Sequence, residues 1–213
     1  MLDQEIKKQF EDYRESLHTE LQTLHSMIDV IGQIDNLDSV EFRRCSPAFY
    51  KFCRFSLIGT VVMWASKLFT ESHDKKEINS LKFMRFADSN YKRLFGAPDY
   101  SKKSWSISKE QHFKYLDDVE QLVHFKELET IRNKYYAHFD KQYFFDQSVL
   151  FESNKITLSQ IDCRTIRFHE ILMNYSKAYD GKYFVLKIHN INDFKHLMWL
   201  INQYNINQKL DVR

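Results

Sequence analysis

The segment Ile6–Ile31, IKKQFEDYRESLHTELQTLHSMIDVI, decides the fold class. Ile6, Phe10, Tyr13, Leu17, Leu21, Leu24, Ile28 and Ile31 recur every three or four residues in it. On an α-helix that spacing draws one apolar seam over more than six turns, built to pack against other helices or a second subunit. Apart from Met27 and Val30, charged and polar residues fill the positions between. The rest of the 213-residue chain is equally poor in breakers, with only four glycines and two prolines. Too few punctuators exist for a many-stranded sandwich or barrel, so an all-α, up-and-down bundle of four or more long helices is expected.

Working outward, Ser46-Pro47 reads as a cap followed by proline at the first helical position. The helix after it, to about Phe69, is apolar nearly all round through Leu57-Ile58 and Val61–Ala65. Between Arg54 and Lys67 it looks too short to span a bilayer, so it is expected at the buried centre of the bundle. A third helix is predicted from about Asn79 to Phe95, ending at Gly96 with Pro98 beyond. Ser108 and Gln111 form a capping box for a fourth. Its inner side should carry Phe113, Leu116, Val119 and Val123, then Leu128, Ile131 and Tyr135. At least four helices longer than ten residues are thus expected before position 140. Residues 142–156 are aromatic and non-periodic, Ser159–Tyr179 reads as a further helix stopped by Gly181, and Tyr183–Ile188 has strand propensity without a partner strand. A last helix is capped by Asn192 or Asp193. One domain over 1–213 is the simplest organisation, a core bundle to about 140 with helical additions over 141–213.

Several classes fall away. The glycines are isolated, which excludes a phosphate-cradling glycine loop. Cys45, Cys53 and Cys163 have no paired metal or redox spacing and read as reduced thiols. No secretory leader is visible, so a cytoplasmic protein without membrane attachment is expected. A formal charge of +2 announces no nucleic-acid partner by itself. His169-Glu170 begins like a zinc-protease helix but has Met173 where a ligand belongs. His18 and His25 read as polar-face histidines, and the eighteen Phe and twelve Tyr as core rather than base-stacking platforms. No cofactor and no metal are expected.

The chemistry concentrates in Leu128–Asp140, LETIRNKYYAHFD. Arg132 supplies a permanent planar cation that matches two phosphate oxygens, Asn133 an amide, and His138 an imidazole that titrates near working pH. Small Ala137 precedes the histidine, and Asp140 follows as a possible orienting carboxylate. Arg132 and His138 stand six residues apart, about 120° off a common face of a regular helix. A local unwinding near Tyr136-Ala137 or a second chain must bring them together. Arg164 and His169 make a rival arginine–histidine pair, but Thr165 follows Arg164 where the first pair has an amide.

The segment IRNKYYAHFD resembles the Arg-polar-(four or so)-His signature of the HEPN superfamily, and most of all its abortive-infection U branch. The helix FYKFCRFSLIGTVVMWASKLF and the segment NSLKFM add a general likeness. The resemblance implies a compact helical bundle, often dimeric, acting as a metal-independent endoribonuclease effector or toxin in bacterial phage defence. Arg132, Asn133 and His138 would be catalytic, with Lys134, Tyr135 and Asp140 contacting substrate. RNA, a second copy of the chain and an antitoxin or defence-system protein would be the partners. The family's adenylylated toxins carry tyrosine two residues past the histidine; here Asp140 stands there, which puts that control in doubt. Some members only bind, so a non-catalytic nucleic-acid- or partner-binding module is the alternative, and a purely structural dimerisation bundle a third.

Overall fold

A computed structural model describes residues 2–36, 47–71, 78–96, 106–123, 125–133 and 156–187, with single helical positions at 196, 199, 200 and 203. All regular structure among them is helical: α1 (Leu2–Asp35), α2 (Pro47–Phe69), α3 (Ser80–Ser89), α4 (Tyr91–Phe95), α5 (Lys109–Val123), α6 (Lys126–Ile131) and α7 (Leu158–Asp180). The all-α expectation holds.

The α1 seam is buried as its spacing requires. Phe10, Leu17, Leu21, Leu24 and Ile31 are fully enclosed, while Tyr13 and Ile28 are half-buried at its margin. Each enclosed side chain contributes roughly 1.5–3 kcal/mol of transfer free energy. Polar pairs fix the register of α1 against its neighbours. His25 meets Asp162, His18 meets His169, and Arg14 meets Asp180, so α1 and α7 run antiparallel. Glu20 with Lys67 and Asp35 with Arg54 set α1 and α2 antiparallel as well. On the far side, His112–Tyr175, Tyr115–Asn174 and Asp118–Arg167 pairs run α5 antiparallel to α7. The up-and-down arrangement follows from these pairings.

Aromatic residues supply the centre. Phe10 packs on Phe83 at 5.4 Å, Phe95 at 5.8 Å and Tyr179 at 4.9 Å, and Tyr175 joins through Phe83 and Phe95. Edge-to-face pairs at such spacings add about 0.5–1.5 kcal/mol beyond area burial.

The helix α7 is capped at both ends, and Gly181 stops it as its sequence suggests. Thr157 accepts from the Gln160 backbone and receives the Gln160 side chain on its own N–H. At the other end Gly181 takes φ 76°, which a side chain resists.

Five expectations need correction. The third helix breaks at Asn90, whose side-chain amide and backbone N–H both bond Phe86 O. Among the described residues before position 140, α1, α2 and α5 exceed ten residues, with α3 at ten. The fourth helix also breaks, at Phe125 (φ −108°, ψ 68°), so α5 and α6 are separate. Phe113 is 49% exposed, and His112 is buried in its stead. Finally, α2 is not the buried centre. Its stretch Lys51–Phe69 is long and apolar enough to cross a membrane by length and composition, yet only a third of it is buried in the fold. Val61, Val62, Ala65, Leu68 and Phe69 face inward, whereas Phe49, Phe52, Phe55 and Met63 are exposed.

Residues 181–187 form no strand. Phe184 N–H approaches the Met173 sulfur at 3.1 Å, and Gln22 donates to Val185 O at 3.3 Å, which holds this segment across α1 and α7.

Candidate functional site

Helix α6 brings the motif to the bundle. Leu128 and Ile131 are buried and anchor it, with α2 beside it. Beyond Ile131 the chain widens into a π-type turn at Arg132 and Asn133. Such turns recur at functional sites because they re-aim side chains off the regular 100° step. Here the turn directs the two polar side chains at each other. Arg132 Nε donates to Asn133 Oδ1 at 2.9 Å, and Arg132 Nη2 lies 3.8 Å from Glu129 Oε1, too far for a hydrogen bond. The Arg132 side chain is 27% exposed. Its Nε edge is thus fixed by the amide, while its Nη edge meets only that loose carboxylate among the described residues. Lys134, Tyr135, His138 and Asp140 lie outside the described residues, as do the expected unwinding at Tyr136-Ala137, the segment 142–155 and the cap at Asn192 or Asp193.

The rival pair does not converge. The Arg164 guanidinium stacks 3.7 Å over the Phe125 ring and donates to Gln160 O. Burial pushes its pKa down. It covers the α5–α6 break. His169 points elsewhere, with its ring 5.5 Å from that of His18. Each residue has a packing role.

His18 and His25 are not the surface histidines expected of them. His18 is 9% exposed and packs on Phe184 at 4.5 Å, and His25 Nδ1 meets Asp162 Oδ1 at 2.7 Å. Burial pushes His169 down to about 4, helped by the nearby His18, and burial also lowers His18. Both are thus held neutral in the fold. The unfolded chain, with imidazoles near 6.5, binds more protons between that value and about 4, so stability must fall as pH falls through this window. His25 opposes the trend: its Asp162 hydrogen bond raises it, a contribution complete below 6.5 and lost as pH rises through the raised value. Thermal melts from pH 7 to pH 4.5 should show a falling midpoint, shallower in His169→Gln and steeper in His25→Gln. An acid limb unchanged by His169→Gln would refute the assignment.

The fold and motif define an all-helical protein with an Arg-Asn pair ending a bundle helix. A family model, HEPN_AbiU2 (AbiU2), matches residues 7–197. The chain belongs to this family and carries an abortive-infection-type HEPN domain. No curated protein and no solved structure matches.

Proposed function

We propose that the chain is a metal-independent endoribonuclease effector of phage defence, acting in the cytoplasm through a composite site at a homodimer interface. The observation that carries the reading is the Arg132–Asn133 pair. An arginine clamped at Nε, whose Nη edge meets only the distant Glu129 carboxylate among the described residues, is suited to take a phosphate through paired donors. Cleaving RNA by its own 2′-hydroxyl also needs a base on that hydroxyl and an acid on the leaving 5′-oxygen. One motif has one imidazole, His138; two motifs across a two-fold axis have two, one for each task. Lys134, Tyr135 and Asp140 would contact the strand. An antitoxin or other defence protein would restrain the activity. The exposed row Phe49, Phe52, Phe55 supports association, because α2 also packs against α6, which leads into Arg132.

Labelled RNA incubated with pure protein in EDTA should be cut, giving a 2′,3′-cyclic phosphate and a 5′-hydroxyl. A single 2′-deoxy substitution at the cut site should block the reaction, since the nucleophile is then gone. Light scattering should show a dimer at micromolar concentration. Magnesium-dependent activity, cleavage of the deoxy substrate, or a strict monomer with and without RNA would each overturn part of the scheme. Binding of RNA without cleavage, and growth unaffected by expression, would instead identify a non-catalytic module.

A further inference from the structure

The segment that follows α7 lies as a strap over a pair of facing imidazoles. His18 on α1 and His169 on α7 stand with ring centroids 5.5 Å apart. His18 Nδ1 and His169 Nε2 are both enclosed without a hydrogen-bond partner among the described residues. The Phe184 ring packs on that of His18 at 4.5 Å, so residues 181–187 cover the pair.

The charges around the pair oppose a proton there. Arg14, fully buried one turn before His18 on α1, holds its guanidinium 5.3 Å from the Phe184 ring centroid. His25, further along α1, also acts against a charge on His169. The carboxylates nearby are engaged elsewhere. Asp162 meets His25 at 2.7 Å, Asp180 meets Arg14 at 2.8 Å, and Glu20 turns to Lys67 on α2. Glu15 lies 3.7 Å from Lys182 of the strap, and exposed Glu170 meets Arg167 at 3.0 Å. Asp29 and Lys187 act on His25. A proton on His18 or His169 would therefore be enclosed near a permanent cation, with no carboxylate paired to either ring among the described residues.

The strap is the weakest wall of this enclosure. It has no regular structure. The Phe184 N–H points at the Met173 sulfur, a weak acceptor, and the Gln22 amide reaches Val185 O at 3.3 Å in an exposed position. Lys177 stands 4.9 Å over the Tyr183 ring, and Leu186 rests on the core. Beneath it, α1 and α7 are held by the enclosed Leu17, Leu21, Phe168 and Leu172. Segments with few buried contacts open before the core does.

We propose that residues 181–187 form an acid-operated latch: protonation of His18 and His169 releases the strap and opens this face of the bundle while α1 and α7 stay folded. Opening gives water to both orphan nitrogens and separates the new charge from the enclosed Arg14. The device does not depend on whether the Arg132 segment cuts RNA. The closed form holds His169 at about 4 and the open form returns it to its ordinary value, so opening takes up a proton below 6.5. Going from pH 7 to pH 5 should multiply the open fraction about twentyfold through His169 alone, with His18 adding to it.

Hydrogen exchange of the full-length protein, read by mass spectrometry at pH 7, 6 and 5 with labelling times scaled to the intrinsic rate, tests the latch. Amides of 182–187 should be at least about 100-fold less protected than those of 17–24 at each pH. Their protection should fall about twentyfold or more between pH 7 and pH 5. His18→Gln and His169→Gln should each shrink that fall, and the double variant should abolish it. Phe184→Ala removes the cover without touching either imidazole. It should leave the strap unprotected at pH 7 and let both rings titrate closer to 6.5, followed by their proton resonances. Strap protection equal to that of 17–24 at every pH would mean that the segment opens only with the whole fold. That result, strap protection indifferent to pH, a pH dependence that survives the double variant, or imidazole titrations unmoved by Phe184→Ala would each overturn the proposal.

Discussion

Replacing His138 with alanine is expected to lower RNA cleavage by the purified protein about 10²–10⁴-fold or more, with an unchanged thermal midpoint. General acid–base assistance carries a factor of that size, and in a two-fold site the substitution removes both proton-transfer groups at once. Arg132→Ala should cost about 10²–10³-fold, the range for losing a charge-stabilising donor, and should weaken RNA binding as well. Asn133→Ala should cost less. Its amide holds the Nε edge of Arg132 and has no proton to give the reaction, so its removal loosens an aim that remains possible. His169→Ala should leave cleavage nearly untouched while shifting the acid limb of stability, since its ring lies against His18 and Phe184. Single-turnover assays on the four variants, each checked by thermal melting, distinguish these effects. Cleavage that survives His138→Ala but fails in His169→Ala would move the site to α7.

Legibility differed by feature for physical reasons. The α1 seam was readable because one face of one long helix does a single job. The end of α7 was readable because Gly181 acts locally. The breaks at Asn90 and Phe125 were not, since neither uses glycine or proline. Asn90 ends α3 with two bonds to one carbonyl, and Phe125 is buried under the Arg164 guanidinium, a partner 39 positions away by number. Histidine burial was hidden for the same reason. Nothing near His112 announces Tyr175 or Asp88, and nothing near His18 announces Phe184. Of the site, Arg132 and Asn133 were readable as residue types, but their contact depends on the π-type turn, because neighbours on a regular helix do not face each other.

The largest stability effect is expected at a residue that the α1 pattern leaves among its polar positions. Arg14 is fully buried, with Nη1 at 2.8 Å from Asp180 Oδ2. That approach lacks hydrogen-bond alignment, and no Arg14 nitrogen gains an aligned acceptor, so the attraction is chiefly ionic. The Tyr179 and Phe184 rings flank the guanidinium at 5.6 Å and 5.3 Å and add cation–π attraction. The two partners are not equivalent, because the Asp180 side chain is 23% exposed and also lies 3.6 Å from Lys182 Nζ. Asp180→Ala leaves the enclosed charge with only the loose, exposed Glu15 carboxylate at 3.8 Å among the described residues, a change that approaches the roughly 3–5 kcal/mol of a broken buried pair. For a chain of this size that lowers the melting midpoint by roughly 6–20 °C. Arg14→Met fills similar space, removes the enclosed charge, and leaves Asp180 with water and Lys182. It should cost far less, and the double variant should melt close to Arg14→Met alone. Equal losses for the two single variants would mean that the pair is solvated and that the enclosed charge does not govern this junction of α1 and α7.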